Sequence, residues 1–176
     1  MTAQEYNQYV DKCGHALWDQ LTDIFFDHLP KDYVEKEDFV IDEHTPTKKI
    51  GIPTYEIKHH FQVKCPEMNK CKTVGKVFDM VWEIMEKRIP WWIYIAQFGT
   101  ETGIWEIDYN DYFPWEIPVD DMDRVDMTYA LEDHLDVEID TPEHDFDMMD
   151  EEGIFENNGE WLDVLGPYIE QSIEAD

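Results

Sequence analysis

Residues 89 to 176 hold 26 Asp and Glu against one base, Arg124. Like charges repel, and compaction brings them closer. Such a stretch folds only if its carboxylates lie on an outer face and other residues fill the interior. The filling is present, since 14% of the chain is aromatic and seven residues are Trp. A disordered acidic tail is poor in aromatics, so this chain reads as folded. Residues 1 to 88 differ, with 16 acids against 12 Lys and Arg, a net of −4 out of the chain's formal −29. Adaptation to salt would coat the whole surface with acid. One-sided acidity points instead to a basic partner, or to a protein standing in for a nucleic acid.

A length of 176 residues suits one domain. The expected organisation is a single domain, 1–176, with a near-neutral α+β half (1–88) and an acidic half (89–176) carrying a hairpin and the C-terminal helices. Cys13, Cys65 and Cys71 are an odd number, which argues against a purely internal disulfide framework. The N-terminal "MTAQEYNQYVDKCGHALW" has no basic n-region or apolar h-region. No run approaches the length needed to span a bilayer, and the charge disfavours anionic lipid. The expectation is a protein of the reducing cytoplasm, or the host cytoplasm if phage-encoded, with free thiols.

Hydrophobic periodicity outlines the elements. Tyr6, Tyr9, Val10, Cys13, Leu17, Leu21, Ile24, Phe25 and Leu29 recur near the helical period, predicting a helix over 3–29 that Pro30 ends. "DFVID" and "KIGIP" are short strand candidates. "TYEIKHHFQVK" alternates, with Tyr55, Ile57, His59, Phe61 and Val63 on one face, and predicts a half-buried strand. Residues 73 to 88 predict a second helix with Val74, Val77, Phe78, Val81, Trp82 and Met85 inward, closed by Pro90. "WWIYIAQF" and "GIWEIDY" flank "GTET" as a hairpin, and "DYFPWEIPV" adds an edge strand at best. A helix capped by Asp120 or Asp121 runs to Leu135, with Met122, Val125 and Tyr129 buried. A last helix over 159–173 turns Trp161, Leu162, Leu165, Ile169 and Ile173 inward, with a kink at Gly166-Pro167. Antiparallel pieces with segregated helices predict an α+β fold, amphipathic helices packed on a small antiparallel sheet.

Signatures of chemistry are sparse. There is no P-loop, no GxGxxG and no nucleophile elbow, and the one serine is Ser172. Pairs of carboxylates follow from composition and do not argue for acid–base catalysis. His59, His60, Cys65 and Cys71 are zinc-type ligands, but alternation separates the two histidines and the spacing matches no familiar finger. "DYNDYFPWE" and "EHDFDMMDEEG" have calcium-like acids without the EF-hand register. The expectation is no metal, no cofactor and no enzymatic activity.

The acids themselves are patterned. In "LDVEID", Leu135, Val137 and Ile139 alternate with Asp136, Glu138 and Asp140. As a strand this places three carboxylates on one face roughly 6.6–6.8 Å apart. That is close to the spacing of phosphates along a nucleic-acid strand (roughly 6–7 Å). Asp145 and Asp147 continue the two-residue step, followed by Asp150, Glu151 and Glu152. Asp120, Asp121, Asp123 and Asp126 add a helical cluster, and Asp108 and Asp111 lie nearby in sequence. The segment "DYNDYFPWEIP" is hard to bury whole, so Tyr112, Phe113 and Trp115 are the expected apolar anchors of an interface. Together these are the expected partner-binding residues.

Small, very acidic, aromatic-rich and without a catalytic signature, the chain resembles in composition the DNA-mimic inhibitors of bacteriophages and mobile elements. That resemblance implies an anti-restriction, anti-CRISPR or other anti-defence inhibitor. Its partner would be a basic nucleic-acid-binding protein, such as a nuclease, restriction enzyme or CRISPR effector; it would not bind nucleic acid itself. The resemblance is of character and transfers no residue. An immunity protein neutralising a basic nuclease toxin is the alternative binding reading, and a small metal-dependent enzyme the alternative of another class. A homodimer stays open. Separately, "QFGTETGIWEIDYNDYFPW" is similar to a segment of extracellular Cache-type sensor domains, where a Gly-Thr-x-x-Gly turn precedes a strand and a Tyr-Pro-type site. Here Phe113-Pro114 replaces Tyr-Pro, and the Arg-x-x-Trp-Tyr that should follow is missing. No ligand residues carry over.

Overall fold

The computed structural model describes residues 1–34, 39–142 and 155–175. Their elements in chain order are α1 (Ala3–Asp27), α2 (Lys31–Val34), α3 (Thr47–Ile50), α4 (Thr54–Phe61), α5 (Val74–Thr102), α6 (Asp121–Leu135) and α7 (Asn158–Ala175). Short 3₁₀ turns lie at Met68–Lys70 and Tyr109–Asp111. The expected α+β fold is overturned. The described residues are helical and form no sheet, and their β pairing is an isolated bridge between Pro46 and Thr73. The chain divides into two units, Met1–Glu86 and Lys87–Asp176, with the boundary inside α5. That boundary lies within two residues of the change in charge.

In the first unit, α1 starts at a capping box. The Glu5 amide donates to Thr2 Oγ1 at 3.1 Å, and the Thr2 amide donates to Glu5 Oε2 at 2.7 Å. Backbone and side-chain hydrogen bonds from Thr2 hold the Glu5 carboxyl below its ordinary range. Tyr9, Cys13, Leu17, Leu21 and Phe25 recur every four residues and are buried. Their burial is worth about 1.5–3 kcal/mol for each large side chain, enough to order a helix of marginal intrinsic stability.

"TYEIKHHF" is helix α4, where a strand is expected. Ile57 and Phe61 are buried, four residues apart, and satisfy a period of two as well as one of 3.6. Tyr55 and His59, two other members of the supposed buried face, decide between them, since both are exposed. Tyr55 is 73% exposed, and its ring stacks on His59 at 5.9 Å, an i,i+4 contact of a helix. Lys58, His59 and His60 lie in the last turn, where positive charge suits the helix dipole. α1 and α4 pack together, and His60 Nε2 meets Gln20 Oε1 at 2.6 Å.

α5 continues through Pro90 and takes in the whole of "WWIYIAQF", the expected first hairpin strand. An interior proline costs about 3 kcal/mol. Against it stand Ile89, Trp92 and Ile95, which are fully buried, and Trp91, Ile93 and Phe98, which are at most 8% exposed. At about 1.5–3 kcal/mol each their burial exceeds that cost, and a helix buried all round shows no alternation. "GTET" is the end of α5, where Thr100 and Thr102 donate to the carbonyls of Ala96 and Phe98. "GIWEI" then folds back without strand pairing. The Trp105 indole donates to the Ala96 carbonyl, and a side chain at Gly99 would lie 2.1 Å from that indole nitrogen. "DFVID" and "KIGIP", as far as they are described, and "DYFPWEIPV" also lack strand structure.

α7 runs through Pro167 and buries Trp161, Leu162, Leu165 and Ile169, while Ile173 is 54% exposed. Gly166 is buried against Trp91, whose ring would stand 2.4 Å from a β-carbon there. α6 has the expected bounds but a different inner face. Arg124, Met127, Thr128 and Leu131 are buried, whereas Met122 and Tyr129 are each 61% exposed.

Candidate functional site

The acidic surface is built around α6. Asp120 is its N-cap: the Asp123 amide donates to Asp120 Oδ1 at 2.9 Å, and the Asp120 amide donates to Asp123 Oδ2 at 3.2 Å. Two of the expected partner-binding carboxylates therefore satisfy helix-end amides first. Asp121 pairs with Arg124 one turn later. Asp126 points to solvent.

Arg124 explains why one base survives in an acidic half. It is 8% exposed, and its Nη1 donates to Asn158 Oδ1 at 2.6 Å. Asn158 Nδ2 in turn donates to the Ile117 carbonyl at 2.9 Å. One turn on, the Thr128 hydroxyl donates to the Arg124 carbonyl at 2.7 Å and accepts the Trp161 indole at 3.1 Å. Arg124 thus ties α6 to the start of α7. Burial pulls its guanidinium below the ordinary value, and Asp120 partly offsets this. Arg88 is also buried, 1% exposed, and forks onto both Asp163 oxygens at 2.8 Å. Residues 87 to 176 contain three Lys and Arg. Two of them are internal and paired with carboxylates, which leaves Lys87 as the exposed cation of this unit.

The sequence-derived acids separate into groups. Asp108, Asp111, Asp126, Asp136, Glu138 and Asp140 are exposed, and Asp121 and Asp123 are partly so. Asp108 accepts the Asn110 amide at 2.9 Å and caps a 3₁₀ turn. "LDVEID" is not a strand. Leu135 ends α6, and Asp136 is its C-cap in the left-handed region (φ 52°), with its amide donating to the Glu132 carbonyl. The two-residue pitch that would match phosphate spacing is absent. Even so, Ile139 is 5% exposed while its acidic neighbours face outward, and the Asp140 amide donates to the Tyr168 hydroxyl at 3.1 Å. Asp145, Asp147, Asp150, Glu151 and Glu152 lie outside the described residues.

The expected aromatic anchors are corrected in part. Trp115 is 4% exposed, and its ring lies parallel to Phe113 with centroids 5.0 Å apart. A buried ring cannot insert into a partner, so Trp115 is a core residue. Tyr112 and Phe113 are half-buried.

His59 and His60 point to different partners, as given above. Cys65 is buried and Cys71 half-buried, and all three cysteines are free thiols. Among the described residues no three His, Cys, Asp or Glu side chains converge as a metal site requires, and no helix is long and apolar enough to cross a membrane.

No family model, curated protein or solved structure matches this chain.

The internal roles of Arg88 and Arg124 were missed at the level of sequence. One signal was available: a lone arginine three residues after Asp121 on a helix forms an i,i+3 pair. Asn158, the distant partner of Arg124, and Asp163, that of Arg88, carry no local signal.

Proposed function

We propose that this protein has no chemistry of its own and acts as an acidic inhibitor in the cytoplasm. Its second unit occupies the basic groove with which a target protein holds DNA or RNA. The observation that carries this reading is the inward turn of Arg88 and Arg124 beneath an outward-facing set of carboxylates. Two of the unit's three Lys and Arg are withdrawn from the surface and Lys87 alone of them is exposed, so the field outside the unit is set mainly by its acids. A field of one sign steers an oppositely charged groove into encounter and suppresses encounter with nucleic acid. Without the strand, the mimicry rests on density of charge and not on a phosphate-like pitch.

The test uses the tagged protein as bait in a bacterial lysate, with captured proteins identified by mass spectrometry and the interaction then measured by surface plasmon resonance. Reversing Asp136, Glu138 and Asp140 to Lys should lower the association rate by about tenfold at low salt, with a smaller effect at high salt. The control reverses Asp11, Asp19 and Asp23, which are exposed on α1 and outside its capping box. Equal loss in the control would show that net charge alone governs binding, and the localised surface would be wrong.

A further inference from the structure

The first unit holds a feature of opposite sign. A concavity of about 680 Å³ lies between α3 and the 3₁₀ turn at Met68–Lys70, with Lys48, Lys70, Lys72, Asn69, Ile52 and Cys71 among its lining. Among the described residues no carboxylate lines it. In a chain of net charge −29, a pocket lined by three lysines and, among the described residues, by no acid is against the trend of the sequence.

Its walls are held together by backbone bonds. The Thr47 amide donates to the Lys72 carbonyl at 3.0 Å, the Thr47 hydroxyl to the Cys71 carbonyl at 2.6 Å, and the Val74 amide to the Thr45 carbonyl at 3.0 Å. Thr45 and Thr47 are themselves buried. Lys48 and Lys72 therefore project from two segments fixed against each other. Their ammonium groups have no ion-pair partner among the described residues. Lys70 is paired with Glu67 at 2.6 Å, but both side chains are more than 60% exposed. Such a pair is worth about 0–1 kcal/mol and exchanges readily for a better anion.

We propose that this concavity binds a small phosphorylated ligand. A phosphate group offers several oxygens and more than one negative charge to Lys48, Lys70 and Lys72, where a single carboxylate offers one charge. Asn69 supplies a neutral donor, and Ile52 an apolar contact for the rest of the molecule. The volume lies within the range of small-molecule sites, about 300–1,000 Å³. Size also separates a compact ligand from a nucleic acid. Charges beyond about 8 Å are screened at physiological ionic strength, so a small anion meets mainly the lysines. An extended polyanion meets the repulsion of the whole acidic chain. This site is independent of the acidic surface proposed above.

Cys71 provides the readout, because it lines the pocket and is half-buried while Cys13 and Cys65 are buried. The native protein is alkylated with N-ethylmaleimide in the presence of inorganic phosphate, pyrophosphate, ATP or an oligothymidylate, with sodium chloride at matched ionic strength as reference. Modification at Cys71 is followed by peptide mass spectrometry. A phosphate probe at about four times its Kd should slow labelling about fivefold, as 1 + [L]/Kd requires. The double variant Lys48→Gln/Lys72→Gln, shown to be folded by circular dichroism, should lose this protection. Calorimetry with the same probe should show at least about a tenfold weaker Kd, the order expected for loss of charge-assisted bonds. Three results would overturn the site: no probe protects beyond the salt reference, protection persists in the double variant, or only the oligonucleotide protects.

Discussion

Replacing Arg124 by Met separates an internal cation from a surface one. Methionine keeps an aliphatic stem and removes the guanidinium. Asn158 Oδ1 then loses its 2.6 Å donor while Asn158 stays 7% exposed. A buried acceptor left without a partner costs about 1–3 kcal/mol. Asp121 also loses its partner, but its side chain is 39% exposed and water replaces the pair at a cost of about 0–1 kcal/mol. The 3.5 Å contact to the Val119 carbonyl is too long to add much. Acting the other way, the variant no longer desolvates a guanidinium whose Nε has no hydrogen-bond partner. That relief is about 1 kcal/mol, on the scale of one unmade bond. The balance is a loss of about 0–3 kcal/mol, centred near 1.5 kcal/mol. With a urea slope of about 1–3 kcal/mol/M, the unfolding midpoint should fall by on the order of 1 M. Tryptophan fluorescence is a suitable probe, since Trp161 lies two hydrogen bonds from the Arg124 backbone through Thr128. In the folded variant, association with the target should be unchanged, because the lost charge was internal. Unaltered stability together with faster association would refute the assignment and make Arg124 an ordinary surface cation.

The other expectations follow from local geometry. Gly166→Ala places a β-carbon 2.4 Å from the Trp91 ring and strains its 3.0 Å bond to Glu170. Overpacking of about 1–3 kcal/mol, less about 1 kcal/mol of helix propensity, should lower the melting temperature by about 2–4 °C per kcal/mol of net loss. A melting temperature equal to or above that of the parent protein would place Trp91 elsewhere. Burial pushes the Cys13 thiol up to about 12 from an ordinary value of 9.0. Its folded-state proton is fully matched below pH 9; between there and pH 12 the unfolded chain loses a proton that the fold retains, so stability falls as pH rises. Cys13→Ala should remove up to about 1.4 kcal/mol per pH unit of alkaline slope, and identical slopes in urea titrations above pH 9 would show the thiol to be accessible.

Charge partition and the starts of the four long helices, α1, α5, α6 and α7, were legible in the residues alone. The 26 acids and one base of residues 89–176 favour the surface for most carboxylates, because an unpaired buried charge costs far more than any local preference. The four-residue spacing from Tyr9 to Phe25, the Thr2–Glu5 box and the Asp120 cap are likewise local, each using neighbours within four positions. Three decisions needed the tertiary structure. "TYEIKHHF" became a helix because Ile57 and Phe61 fit either period, and only packing assigns Tyr55 and His59 to solvent. "RIPWWIYIAQF" stayed helical through a proline because its buried apolar surface outweighs one lost hydrogen bond. Arg124 went inside because Asn158, 34 residues away, supplies the acceptor that makes a buried guanidinium tolerable. Intrinsic preferences differ by less than about 1 kcal/mol per residue. Burial of one Trp or Ile is worth more, and which residues are buried is settled between segments far apart in the chain.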